Sequence, residues 1–335
     1  MAVIGLDLGG TKLAGAAFDA NGDQLAEDVV LLAGRGGADV GRLIVASLER
    51  LMAKVPAVEA VGIAVPGISH TTTGRVWAPN IPGWDDYPLR DELRAALPEQ
   101  TAASVVVESD RACCIMGEAW RGAARGCHDA IFLTVGTGIG AGIMVDGRVL
   151  RGAHDISGAI GWMALERPWD DRYRSCGNFE YYASGDGIAR SARELLAERP
   201  SYAGALGAVG VDALTAHDVF GAFDAGDEVA VTALNRAVAL WGMATANLVS
   251  LFNPERIIFG GGVFGPAVRF LGDIAREARR WAQPIGFRQV ELARSALGGA
   301  AALHGAGFFA LRAAGASGVA GATAAARTTS TQEHA

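Results

Sequence analysis

Four short stretches carry residue types that could handle a phosphate and a hydroxyl. The first is Gly5-Leu6-Asp7-Leu8-Gly9-Gly10-Thr11-Lys12. Glycines let backbone N–H groups face an anion, Thr11 adds a hydroxyl donor and Lys12 a positive charge. Asp7 could hold a Mg²⁺ through its waters. The second, Thr134-Val135-Gly136-Thr137-Gly138-Ile139-Gly140-Ala141-Gly142, repeats that chemistry. Two such turns suggest two lobes gripping one polyphosphate. The third, Phe259-Gly260-Gly261-Gly262-Val263-Phe264, could cradle a nucleotide's base and ribose. It is not the dinucleotide fingerprint G-x-G-x-x-G, and no G-x-x-x-x-G-K-[ST] occurs, so Rossmann dehydrogenase and P-loop readings both fail. The fourth, Val107-Glu108-Ser109-Asp110, ends a strand just before a helix. Asp110 reads either as that helix's N-cap or as a general base accepting a hydroxyl proton during phosphoryl transfer.

The elements around these stretches follow from apolar spacing. Ala2 to Leu8, Lys12 to Phe18 and Gln24 to Leu32 read as strands of an antiparallel meander joined by Gly and Asn turns. Val40 to Val55 has helical spacing, Val58 to Val65 reads as a strand, Leu89 to Leu97 as a helix, Ser104 to Val107 as a strand and Arg111 to Ala124 as a helix. A second hairpin, Ala130 to Gly136 with Ala141 to Val145, turns at Asp146-Gly147 into Arg148 to Leu150. The β-β-turn pattern thus recurs halfway along the chain. Helical spacing then marks Gly187 to Ala197, Ala216 to Phe223 and Glu228 to Leu251. A strand at Arg256 to Phe259, a helix at Gly265 to Trp281, a strand at Val290 to Leu292 and a helix at Ala300 to Leu311 complete the series. This α/β pattern predicts a small lobe over 1–118, with the helix 300–312 packing back on it. A large lobe is predicted over 119–299, and a disordered Ala/Gly/Ser/Thr tail over 313–335.

Composition narrows the classes. With 335 residues, half of them hydrophobic, the chain can bury a sizeable core. Its net charge of -7 and lack of basic runs argue against nucleic-acid binding. Cys113, Cys114, Cys127 and Cys176 form no C-x-x-C pair, which suits reduced thiols in a cytoplasmic setting. The N-terminus lacks a basic region and carries Asp7 inside its apolar run, unlike a signal peptide. The apolar stretch Ala130 to Val145 is too short and too glycine-rich for a membrane span.

These residues resemble the ROK family of repressors, open reading frames and sugar kinases, over residues 2 to about 312. The resemblance also rests on Val65-Pro66-Gly67, Gly74, Ala78-Pro79-Asn80-Ile81-Pro82-Gly83-Trp84, Gly117-Glu118-Ala119-Trp120 and Gly158 to Met163. It implies the two-lobed actin/hexokinase-type (ribonuclease H-like) ATPase fold with ATP and Mg²⁺ in an interlobe cleft. Asp110 matches the family's catalytic base, Asn80 its sugar-hydroxyl-binding Asn, and Glu180 the sugar-binding Glu, with Gly67 and Gly138 also expected at the substrate. Gly9, Gly10, Thr11, Lys12, Thr137, Gly138, Gly260, Gly261 and Gly262 would hold ATP, and Asp7 the Mg²⁺. Family repressors carry an N-terminal helix-turn-helix domain. This chain begins at the first ATPase strand, so DNA binding is not expected; a homodimer is, by resemblance alone.

The departures from the family pattern are specific. Its Glu-x-Gly-His is here Ala159-Ile160-Gly161-Trp162, and its cysteine run shrinks to Ser175-Cys176-Gly177-Asn178-Phe179-Glu180. One cysteine cannot make a tetrahedral zinc site, so no structural zinc is expected. Trp162 would pack into the vacated space or offer a flat face to a ring. His154 and Asp155 could replace lost substrate contacts, and Ser109 stands where the family has Asn. Loss of the Ala159 carboxylate shifts the expected specificity, because unmatched buried polar groups are costly. The leading expectation is an ATP-dependent kinase of a hexose, amino sugar or cyclitol. The alternatives are a non-catalytic, sugar-responsive regulator on the same fold, and an acyl-phosphate kinase, which the Asn80 segment opposes.

Overall fold

The computed structural model describes residues 2–102 and 104–315. These residues divide into two compact units, one formed by the described residues up to Gly126, Arg151–Ile156 and residues 300–315, the other by Cys127–Leu150 and Ser157–Gly299. The sequence reading had placed the first break after residue 118. Most of the expected tail, residues 316–335, lies outside the described residues.

The first unit starts with strands β1 (Ala2–Leu8), β2 (Lys12–Asp19) and β3 (Gln24–Leu31), then helix α1 (Gly37–Met52) and strand β4 (Val58–Val65). A short antiparallel pair, β5 (Ile68–His70) and β6 (Arg75–Trp77), precedes α2 (Leu89–Ala96), β7 (Val105–Ser109) and α3 (Asp110–Arg121). The main sheet has the order β3-β2-β1-β4-β7. β1 pairs antiparallel with β2 and parallel with β4, and β4 pairs parallel with β7. As a central strand, β1 is buried along its length except at Asp7, which is partly accessible.

The second unit repeats that plan. Strands β8 (Ala130–Val135), β9 (Ile139–Val145) and β10 (Arg148–Val149) lead to helices α4 (Asn178–Ala183), α5 (Gly185–Ala197), α6 (Ala216–Asp224) and α7 (Glu228–Phe252). Strand β11 (Arg256–Gly260), helix α8 (Leu271–Trp281) and strand β12 (Glu291–Arg294) follow. The sheet order β10-β9-β8-β11-β12 matches that of the first unit strand for strand, with the same parallel and antiparallel pairings. In each unit the central strand and its antiparallel neighbour are joined by a glycine-rich turn. The expected helix Gly265 to Trp281 is broken, with 3₁₀ turns up to Phe270 and α-helix from Leu271. Among the described residues α7 is the one helix long and apolar enough to cross a membrane. Its apolar face instead fills its own unit's core, with Leu234, Leu240, Trp241 and Leu248 fully buried.

The last helix, α9 (Ala301–Ala313), returns to the first unit and packs on β1, β4 and α3. Small residues let the backbones touch. A Cβ on Gly62 would lie 2.0 Å from the Ala306 carbonyl oxygen, and one on Gly305 would lie 1.8 Å from that of Cys113. Only hydrogen fits at either place.

Candidate active site

In the first unit the chemistry gathers at the ends of β1 and β7. The turn after β1 is closed by the Gly9 N–H donating to the Lys12 carbonyl at 2.9 Å. Leu32 N–H donates to the Thr11 carbonyl at 2.8 Å, so the backbone is fixed while the Thr11 and Lys12 side chains stay exposed. Asn80 lies in the loop after β6, in a turn closed by Ile81 N–H on the Ala78 carbonyl at 3.0 Å. A Cβ on Gly10 would sit 3.3 Å from Asn80 Nδ2, so the two residues are neighbours. Gly67, with φ +86°, turns the chain out of β4, and its carbonyl accepts from Arg111 Nη2 at 3.2 Å.

Asp110 is the first residue of α3. The N-cap is Ser109, whose hydroxyl oxygen accepts from Ala112 N–H at 3.2 Å, so the capping reading of Asp110 is corrected. Among the described residues that leaves the Asp110 carboxylate with a single hydrogen bond, from Arg111 N–H at 2.7 Å. Burial pushes Asp110 above the usual carboxylate range, while the Arg111 charge and N–H pull it down. Asp7 is pushed up to about 7, first by burial and then by the Asp110 charge, with Lys12 opposing. The two carboxylates therefore share a dry, negatively charged corner at the carboxyl ends of β1 and β7, the parallel strands on either side of β4.

Glu108, two residues upstream, is buried and belongs to a different arrangement. It is held by the Arg151 guanidinium, whose Nε donates at 3.1 Å. Burial raises Glu108 and Arg151 lowers it. The nearby Asp155 does not reach for a ligand. Its two oxygens accept from Thr71 N–H at 3.2 Å and Thr71 Oγ1 at 3.0 Å, which ties it to the β5–β6 turn.

The second unit holds a cavity of about 390 Å³ at the turn between β8 and β9. Gly136, Thr137 and Gly262 line it, as do Asp186, Arg193 and His217. Of the three successive glycines, only Gly262 faces this space. Gly260 has a packing reason to be glycine, since its Cβ would strike the Phe132 ring at 2.3 Å. Gly261, with φ +85°, is packed against the Val135 backbone. The far wall is built by α5 and α6, and the sequence reading missed it. Thr215 caps α6 in a capping box with Asp218, and Arg193 Nη1 donates to the Leu214 carbonyl at 2.9 Å. The Thr-x-x-Asp spacing before an apolar run was the available signal.

Glu180 is in the first turn of α4, and its Oε2 accepts from Ile139 N–H at 2.6 Å. Burial raises it, and the Ile139 N–H and the Arg190 charge lower it. It is thus a partly buried, engaged carboxylate. Trp162 overturns the packing expectation, for it is 57% exposed. Cys176 is partly buried, and its Sγ accepts from the Ser175 hydroxyl at 3.8 Å. Among the described residues no group of three or more His, Cys, Asp or Glu side chains could hold a metal. One thiol does not fit tetrahedral zinc. The dehydrated Asp7–Asp110 pair does fit a hard divalent cation that keeps its waters and relies on a phosphate ligand.

A model of the ROK family matches residues 3–313. A glucokinase from Halalkalibacterium halodurans is 32% identical over 314 residues, covering 91% of this chain and 93% of the relative. The crystal structure of a ROK hexokinase from Thermus thermophilus is 32% identical, with a TM-score of 0.79 over 93% of this chain and 98% of that one. A ROK family glucokinase from Streptomyces griseus, solved with glucose and AMPPNP, is 31% identical, with a TM-score of 0.75 over 93% of this chain and all of that one.

Proposed function

The chain belongs to the ROK family, and on that premise we propose that it is an ATP-dependent kinase of a sugar or sugar-like hydroxyl. The observation that carries this reading is the Asp110 carboxylate. It stands at a strand end with one backbone hydrogen bond, dehydrated and paired with Asp7.

Asp110 takes the proton of the acceptor hydroxyl. The freed oxygen attacks the terminal phosphorus of ATP, the bond to the β-phosphate oxygen breaks, and ADP leaves. In the first unit Gly9 closes the turn through its own N–H, and the backbone N–H groups of Gly10 and Thr11, the Thr11 hydroxyl and Lys12 hold phosphate oxygens. Asn80 binds sugar hydroxyls, with Gly67 lending backbone. In the second unit Gly136, Thr137, Gly138 and Gly262 line the nucleotide's place, and Glu180 accepts from a sugar hydroxyl. Asp7 would hold a Mg²⁺ through water, and such an ion when bound would offset charge on the phosphates. No zinc organises the loop at Cys176.

The acceptor is a hexose, an amino sugar or a cyclitol. The missing carboxylate at Ala159 is the reason to look past glucose. The setting is cytoplasmic, with no nucleic-acid or membrane partner, and the chain forms a homodimer. ADP release measured with Mg-ATP across a panel of these acceptors tests the reading, with sugar binding followed by calorimetry in parallel. Turnover with at least one acceptor is expected. Sugar binding with no ADP release above background would instead mark a regulator that has kept the fold.

A further inference from the structure

The turn that follows β8 is short of restraints of its own. Its one internal bond runs from Gly136 N–H to the Gly138 carbonyl at 2.9 Å. Two of its three residues are glycines, so ordering it for a ligand is costly in conformational entropy. Beyond the Val135–Ile139 strand pair that closes it, the turn and the first residue of β9 are held, among the described residues, at two points that both lie in the stretch 180–185. Gly185 N–H donates to the Gly136 carbonyl at 2.8 Å, and Ile139 N–H donates to Glu180 Oε2 at 2.6 Å. The second is a charge-assisted bond, the stronger kind.

The surroundings are shaped around that carboxylate. A Cβ on Gly138 or on Gly161 would come within 2.8 Å of Oε2, so glycines flank it on both sides. The short helix that carries Glu180 is itself clamped. Trp241 Nε1 donates to the Ala183 carbonyl at 3.1 Å, and Arg190 Nη1 donates to the Tyr181 carbonyl at 2.9 Å while its guanidinium lies 4.3 Å from the Tyr181 ring centroid. A fixed helix thus presents a fixed acceptor to a loose turn that lines the cavity.

We infer that Glu180 is a positioning residue for the phosphate-binding turn, so that nucleotide affinity depends on it even with no sugar present. Combined with its sugar contact, which rests on the function proposed above, this makes one carboxylate common to both substrates. Ordering a shared group is an entropy cost met by whichever ligand binds first. Sugar and nucleotide therefore tighten each other, and by the same factor.

The test is calorimetric titration of AMPPNP with Mg²⁺, with and without the best acceptor, on the wild type, Glu180→Ala and Gly161→Ala. Gly161 is not part of the turn, and its Cβ would meet Glu180 Oε2 at 2.8 Å and the Ile139 carbonyl at 3.0 Å, so Gly161→Ala strains the Glu180–Ile139 bond from outside the turn while leaving the carboxylate in place. Thermal melts confirm that each variant folds, and Gly161→Ala keeps the inference open to refutation if Glu180→Ala does not. Both variants should bind AMPPNP about tenfold more weakly without sugar. The wild type should show an acceptor-induced tightening of about threefold or more, lost in both. Wild-type AMPPNP affinity in both folded variants without sugar overturns the inference, even if their KM for sugar rises. Weakened AMPPNP binding with an unchanged sugar KM supports the turn role and refutes the sugar contact.

Discussion

Asp110→Asn removes one negative charge and little else. The side chain keeps an oxygen that can go on accepting from Arg111 N–H at 2.7 Å. The α3 cap is Ser109, so the helix start is untouched and stability should move by less than about 1 kcal/mol. The chemistry loses its proton acceptor. General-base catalysis contributes about 10²- to 10⁴-fold, which at 1.36 kcal/mol per decade is about 3–5 kcal/mol of barrier. The loss should fall on kcat, with sugar KM changed by less than about threefold. The pH profile gives an independent handle. Burial raises the Asp110 pKa, and a base works only when ionised. Wild-type kcat/KM should therefore fall as pH drops through that raised value, and the variant should lose this acidic limb. Without the Asp110 charge, Asp7 should also titrate below its value of about 7, as read by carboxyl carbon NMR. A folded Asp110→Asn enzyme with kcat within threefold of wild type would refute the assignment.

Asp7→Asn should stabilise the metal-free protein at pH 8 while abolishing turnover. The native Asp7 holds its proton up to about 7 and the unfolded one only to 3.8, so its burial cost grows as pH rises through that window. Denaturation in EDTA should show a gain of about 2–4 kcal/mol at pH 8 and none at pH 3.5. Arg151→Met leaves the buried Glu108 unpaired and should cost about 3 kcal/mol in urea melts, and adding Glu108→Gln should recover much of it. Gly305→Ala forces a Cβ onto the Cys113 carbonyl and should cost more than about 2 kcal/mol, whereas Gly272→Ala, which meets nothing within 4 Å, should gain about 0.5–1 kcal/mol. Metal analysis of protein purified without chelator should find less than about 0.1 zinc per chain, given one thiol where four N/S ligands are needed.

Much of the fold was legible because its central strands are mostly apolar and its turns carry Gly or Asn. β1, β2, β4 and β8 sit where the pattern put them. The three-residue strands β5 and β6 and the six-residue α4 are too short for periodicity to register, and α4 carries Glu180. The cap falls on Ser109 rather than Asp110 because either residue type can cap a helix, and only backbone geometry decides. Gly260 read as a ligand-facing glycine. Its reason lies in Phe132, more than a hundred residues earlier, and no local pattern carries that contact. The outer wall of the cavity beside the Gly136–Gly138 turn, with Arg193 and His217, becomes visible only when α5 and α6 are folded beside that turn, for the Thr-x-x-Asp spacing marks the start of a helix and not what it faces.

Transfer of phosphorus itself is the most direct check. Mg-ATP and each acceptor should be followed by ³¹P NMR with the wild type and Asp110→Asn side by side. The wild type should convert the γ-phosphate signal into a sugar phosphomonoester, one for each ADP formed, and the variant should do so at least a hundredfold more slowly. Inorganic phosphate as the only product, or a phosphomonoester formed equally fast by both proteins, would contradict the account.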